Sequence, residues 1–224
     1  MISQANWTRP IYVAITVGEE NYMNLGDNFV QEGLVNRITP FTTKGDSEAR
    51  FDTEKTYDCM MNKFKYGGLD KPGLYLDQTI MRMCATHRRL FGQLALSLLN
   101  EGKTDKVKKV LEKCEKEIPD YNVPLDYMSG GLDLLTAWGK IGEKKHATEI
   151  ADKLWKQSEQ YLTWYASCSP SYLASSKRDC EMHIYIMQAI LQEMDEVDKK
   201  WSDEHANRLN SLYGAYQAKM MSVN

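Results

Sequence analysis

Two stretches of this chain read as the same helical hairpin. The first runs from Leu90 to Pro119 and the second from Leu132 to Tyr161. Their turn glycines, Gly102 and Gly142, align. The same offset of 40 residues pairs Val107 with Ala147, Leu111 with Ala151 and Cys114 with Leu154. A helix pair of this size buries its apolar face only against neighbouring pairs, so repetition calls for a stack. Stacks of helix pairs present long surfaces to other molecules, which makes an interaction module the first expectation and an enzyme the second.

Apolar stripes extend the pattern along the chain. Asp77 can cap a long helix ending near Gly102, in which Ile80, Met83, Cys84, His87, Phe91, Leu94, Ala95 and Leu98 recur at steps of three and four. Val107, Val110, Leu111, Cys114 and Ile118 mark its partner. In the second pair Leu134, Leu135, Trp138 and Ile141 face Ala147, Ile150, Ala151, Leu154 and Leu162. A third pair follows Ser169–Pro170–Ser171: Cys180, Ile184, Met187, Leu191 and Met194, then Ser202 as a cap, then Ala206, Leu209, Tyr213, Tyr216 and Met220.

The first 45 residues differ. Ile11 to Val17 is β-rich and suits a buried strand, Asn24 to Asp27 a turn, and Asn28 to Glu32 a short helix. Leu34 to Thr39 reads as a second strand, stopped by Pro40. Such a small α/β element is too small to stand alone, so Tyr12, Ile15 and Leu34 are expected to pack on helices. Thr42 to Ser47 reads as a polar linker, and Asp52 or Thr53 can cap a helix running to about Phe64. The expectation is a mainly α chain: an α/β element over 1–45, then a helical repeat domain over 46–224. That domain would be a stack of about three antiparallel helix pairs, an α-α superhelix.

Charge and motif exclude several functions. The net charge is −3 with both signs interspersed, which gives no footprint for nucleic acid. No run approaches the ~20 apolar residues that span a bilayer, so direct membrane insertion is not expected. Five cysteines contain no CxxC pair, and three lie on apolar helix faces as small hydrophobes. Four histidines lack a second ligand at metal-binding spacing. HExxH, GxSxG, GxxxxGKS/T and GxGxxG are absent, so neither metal, cofactor nor catalytic residue is expected.

Binding residues are sought on the first helix of each pair, which supplies most of the groove in helical repeats. The polar positions there are Arg82, Arg89, Gln93, Asp133 and Lys140. His87 lies on the apolar stripe, either as a buried, hydrogen-bonded imidazole or, with Arg88 and Arg82, as the lining of an anion-accepting groove. Asp126 is expected to cap a helix beginning at Tyr127. Trp164 and Tyr165 either pack on the next repeat or, if exposed, form platforms for sugar or peptide.

Within Leu90 to Pro119, Phe91, Leu94, Ala95, Leu98, Gly102, Val107, Leu111, Cys114 and Pro119 fall at signature offsets of the tetratricopeptide repeat, and the stretch resembles that family. Val107 and Cys114 stand where small alanines are usual. In the second copy Trp138, Gly142, Ala147 and Ala151 match, while Gly131 stands where a large aromatic would be. The interval is 40 residues rather than 34, with Asp120 to Tyr127 as an insertion.

Three further stretches carry a narrower resemblance. They are Asn6 to Ala14 with Gln31 to Leu34; Tyr75–Leu76–Asp77 with Arg82–Met83–Cys84 and Thr86–His87–Arg88; and Ile118 to Pro124. Together they make nearly the whole chain resemble the C-terminal soluble region of a family of polytopic bacterial membrane proteins related to C-type protein O-mannosyltransferases. That resemblance implies a fragment beginning just after the last membrane helix, with Met1 not the native start. It implies a place on the periplasmic face of the inner membrane, beside a parent membrane domain that would be a C-type glycosyltransferase. The catalytic carboxylate of such transferases lies in the membrane-embedded part, so no catalytic residue carries over. The function expected is a non-catalytic accessory domain that binds a protein acceptor or partner subunit. The alternative is a free-standing, cytoplasmic tetratricopeptide-like adaptor that binds proteins or peptides.

Overall fold

A computed structural model describes residues 7–46 and 50–221. It is mainly helical, with a small three-stranded antiparallel sheet near the N-terminus. The chain divides into two compact units, Met1–Gly67 and Gly68–Asn224. The division follows α1 (Thr53–Asp58), so the helix capped by Asp52 groups with the sheet, beyond the boundary expected at residue 45.

In the first unit, β1 (Tyr12–Ala14), β2 (Phe29–Glu32) and β3 (Val35–Ile38) pair in the order β1-β3-β2. This corrects the expectation for Asn28 to Glu32. That segment is a strand, joined to β3 by a tight turn at Gly33–Leu34, and not a crossover helix. Its residues gain more from pairing with β3 and burying Phe29 and Val30 than an isolated helical turn could supply. Asp52 Oδ1 accepts the Lys55 N–H at 3.0 Å and starts α1, which ends in a single π turn over Cys59–Lys63. Thr56 Oγ1 accepts the Gly33 N–H at 2.9 Å, which ties the hairpin to the helix. Phe29, Val30, Ile38, Met60 and Tyr66 make the core, while Tyr12 is 46% exposed and Ile15 and Leu34 are half-buried. Thr42 to Asp46 is not a free linker. Thr43 is buried and its hydroxyl contacts the Asp27 and Phe29 carbonyls at 3.1 and 3.2 Å.

The second unit holds α2 (Gln78–Asn100), α3 (Thr104–Glu117), α4 (Gly131–Lys140), α5 (Lys144–Ser167), α6 (Pro170–Ser175), α7 (Lys177–Val197) and α8 (Lys199–Met221). α2 packs on α3, α4 on α5, and α7 on α8, while α2, α4 and α7 adjoin in turn. Asp77 caps α2 by accepting the Thr79 and Ile80 N–H groups at 2.8 and 2.9 Å. Both early hairpins close alike. Gly102 and Gly142 have φ of +72° and +81°. The Lys103 N–H reaches Leu98 O at 2.9 Å and the Glu143 N–H reaches Trp138 O at 3.0 Å. Only a residue at ease with positive φ lets a helix end this way.

The stripes are buried for most of their length: Phe91, Leu94, Ala95, Leu98, Val107, Val110, Leu111, Leu135, Ala147, Ala151, Cys180 and Met187 have no exposed surface. Ile80 and Met83, in the first turns of α2, are exposed. Ser202 is no cap. α8 has already begun at Lys199, and the Ser202 hydroxyl donates to Leu191 O at 3.2 Å across the α7–α8 turn. The separator at Ser169–Pro170–Ser171 is itself the start of α6, with Ser169 as N-cap and Pro170 in the first turn.

Candidate functional site

The helices of the second pair are unequal: α4 has 10 residues and α5 has 24, about 15 Å against 36 Å. Gly131, the first residue of α4, lies so close to Leu154 that a Cβ there would stand 2.8 Å from its side chain. α4 therefore begins level with Leu154, and Trp155 to Ser167 runs on without it. The room left over is a cavity of about 740 Å³ between α5, the first half of α7 and the Asp126–Met128 loop.

The cavity wall is aromatic. On α5, Tyr161 and Trp164 are 51% and 50% exposed. Trp164 leans on Tyr165 with ring centroids 4.9 Å apart and meets Tyr172 edge-on at 5.9 Å. From α7, His183 stacks on Tyr161 with centroids 4.5 Å apart and meets Tyr127 edge-on at 6.0 Å. His183 is only 8% exposed, its Nδ1 lies 3.2 Å from Ser158 Oγ, and burial lowers its pKa against a weaker upward pull from Asp179. The Tyr165 hydroxyl donates to Asp179 Oδ2 at 3.1 Å, and burial followed by that carboxylate pushes the phenol up to about 12. Asp126 Oδ1 accepts the Ser129 N–H at 2.7 Å. It thus caps the turn before α4 and not a helix starting at Tyr127, because α4 starts at Gly131.

The residues expected from the sequence fall on α2 and α4. Arg82, Arg89 and Gln93 are exposed along α2, and Arg89 donates to Thr86 Oγ1 at 3.0 Å. Asp133 is half-buried, and burial raises its pKa. Lys140 is exposed and pairs with Glu196 of α7 at 2.6 Å. His87 is half-buried and desolvation lowers its pKa. Arg88 sits apart from these. It is 2% exposed, and its guanidinium donates to Ile118 O at 2.9 Å, Pro124 O at 3.0 Å and Ser129 Oγ at 3.2 Å, and also to Val123 O. It thereby organises the loop that bounds the cavity. None of the seven lines the cavity at α5.

His183, Ser158, Gln157 and Asp179 were not singled out in the sequence. Each occupies an ordinary helical position, and only the late start of α4 leaves them facing a cavity. The adjacent glycines Gly130–Gly131 were the one local signal of that late start. Among the described residues, no helix is long and apolar enough to cross a membrane.

Residues 1–55 match the family model described as TMEM260-associated domain 2. The match spans the sheet and the first turn of α1, and it fits the resemblance carried by Asn6 to Ala14 and Gln31 to Leu34. No curated protein and no solved structure matches the chain.

Proposed function

We propose that this chain is a non-catalytic accessory domain of a membrane glycosyltransferase-like protein, and that its helical unit holds a polypeptide, either an acceptor or a partner subunit. The observation that carries the binding reading is the 740 Å³ cavity with half-exposed Tyr161 and Trp164 on its wall. Large aromatic side chains left uncovered beside a concavity supply contact area at low conformational cost, as recognition sites do. The glycosyltransferase setting is supported by the family match over residues 1–55 together with the sequence resemblance. In this reading the domain works beside its parent membrane portion on the periplasmic face.

The shared closure of the two hairpins at Gly102 and Gly142 supports a tetratricopeptide-like arrangement of the stack. In such an arrangement α2 and α4 present Arg82, Arg89, Gln93, Asp133 and Lys140 along one run, and a bound segment would follow them toward the cavity. The adaptor reading shares this surface and differs only in lacking a membrane parent.

The test is calorimetric titration of the full chain with extended, unstructured acceptor peptides, followed by Trp164→Ala and by charge reversal at Arg82 and Arg89. Binding in the micromolar range or weaker is expected, because an extended peptide loses much freedom on docking. Absence of binding at millimolar peptide would sink the proposal. Binding indifferent to all three substitutions would remove both the cavity and the groove from it.

A further inference from the structure

The cavity between α5 and α7 has a chemical bias. Its lining includes Asp126 and Asp179 and contains neither lysine nor arginine. Among the described residues, neither carboxylate has an ion pair. Asp179 spends one oxygen on the Tyr165 hydroxyl, and Asp126 spends one on the Ser129 N–H. Arg88, the cation whose field reaches Asp126, is occupied by the carbonyls of Ile118, Val123 and Pro124. Beside these charges stand the half-exposed rings of Tyr161 and Trp164. His183 is more than nine-tenths buried, lines the cavity, and has no hydrogen bond on Nε2 among the described residues.

We infer that this cavity takes a cationic side chain, the lysine or arginine of a bound polypeptide segment. The inference rests on the polypeptide-binding reading above and names the chemistry of the residue held.

The aromatic faces carry negative quadrupole density, which attracts an ammonium or guanidinium within about 6 Å. The free oxygens of Asp126 and Asp179 can accept charge-assisted hydrogen bonds, which are shorter and stronger than neutral ones. A neutral His183 presents an acceptor at Nε2 when Nδ1 carries the proton toward Ser158. Met182 and Met128 add flexible apolar surface for the aliphatic stem that a lysine or arginine brings with it. An acidic ligand would meet two carboxylates, neither held in an ion pair among the described residues. A neutral sugar could stack on Trp164 but would gain nothing from their charge.

The test uses the full chain and three capped nonapeptides identical except at the centre, which is arginine, citrulline or glutamate, together with a linear neutral oligosaccharide. Titrations are followed by calorimetry at low and physiological salt. The arginine peptide is expected to bind at least tenfold tighter than the citrulline peptide, with the glutamate peptide weakest and the preference shrinking in salt. Asp126→Asn with Asp179→Asn should abolish most of that preference, since asparagine keeps the acceptor each internal bond needs and removes the charge. Trp164→Ala should weaken both binders. Equal affinity for arginine and citrulline overturns the inference while leaving polypeptide binding intact. Trp164-dependent binding of the oligosaccharide without any of the arginine peptide overturns it in favour of a sugar platform. If no peptide binds, both readings fall together.

Discussion

His183 lies flat against Tyr161, ring planes 14° apart, with its Nδ1 held 3.2 Å from Ser158 Oγ. That stack joins α7 to α5 inside the cavity wall and keeps the imidazole out of water. Burial lowers the pKa of His183, and of His87 on α2, below the ordinary 6.5. The unfolded chain therefore binds more protons than the folded one as pH falls through 6.5 toward the depressed values. Stability from these histidines is full above that pH and is lost below it. Denaturant midpoints should fall between pH 7.5 and 5.5, and His183→Gln should flatten the slope without removing the share due to His87. A midpoint that rose on acidification would contradict this.

Arg88 should be a keystone of the loop. Its buried guanidinium serves three carbonyls and the Ser129 hydroxyl. Arg88→Met removes the donor that serves the three carbonyls and should cost about 3–5 kcal/mol in urea unfolding. Arg88→Lys should recover little, because an ammonium cannot reproduce the planar fork. A loss below ~1 kcal/mol for Arg88→Met would mean the loop holds itself.

Core truncations report directly on the stack. Leu94 and Leu111 have no exposed surface and come from the two helices of the first pair. Leu94→Ala and Leu111→Ala should each destabilise by about 2–5 kcal/mol.

Gly92 of α2 meets Asp133 of α4 so closely that a Cβ on the glycine would lie 2.8 Å from the aspartate Cβ. Gly92→Ala should lower the melting temperature, even though alanine is the better helix former by about 1 kcal/mol. In an Asp133→Gly background the same change should be neutral to stabilising by up to about 1 kcal/mol. Equal effects in both backgrounds would show that the contact does not limit how closely α2 and α4 approach.

The turn glycines offer a test of equivalence. Nothing lies within 4 Å of a Cβ at Gly102 or Gly142, so the only penalty for alanine is the positive φ. Gly102→Ala and Gly142→Ala should cost the same, roughly 1–2 kcal/mol each. Unequal losses would mean the hairpins share a sequence pattern but not an energetic role.

The helices were legible because their stripes repeat at helical steps and each stripe is buried locally, as Leu94, Leu111, Ala151 and Met187 show. β2 was not. Phe29 to Glu32 is short enough to suit a helical turn, and its strand character comes from pairing with β3. α6 was hidden because a six-residue helix opened by Ser169 and Pro170 looks like a break in the pattern. Arg82, Arg89, Gln93, Asp133 and Lys140 follow from an assumed repeat geometry, and His87 and Arg88 from an anion-accepting alternative; all but Arg88 are partly or fully exposed. The sequence could not show that Arg88 turns inward, since that depends on carbonyls 30 to 36 residues away and a hydroxyl 41 residues away. The cavity residues were invisible for a related reason. Tyr127, Ser158, Tyr161 and His183 come together only because α4 is short, and no periodicity encodes what a neighbouring helix fails to cover.

A concavity made by a missing stretch of helix is governed by length and not by any one side chain. Met128, exposed in the connection from Asp120 to Gly130, marks a surface point of the kind at which loops tolerate insertion. Adding turns ahead of Gly131 would refill the space and convert Tyr161 and His183 into ordinary interior, with every helix of the unit left in place. Proteins descended from the same ancestor would then differ in what they hold through gaps in an alignment, a kind of divergence that scanning single substitutions across the cavity would miss.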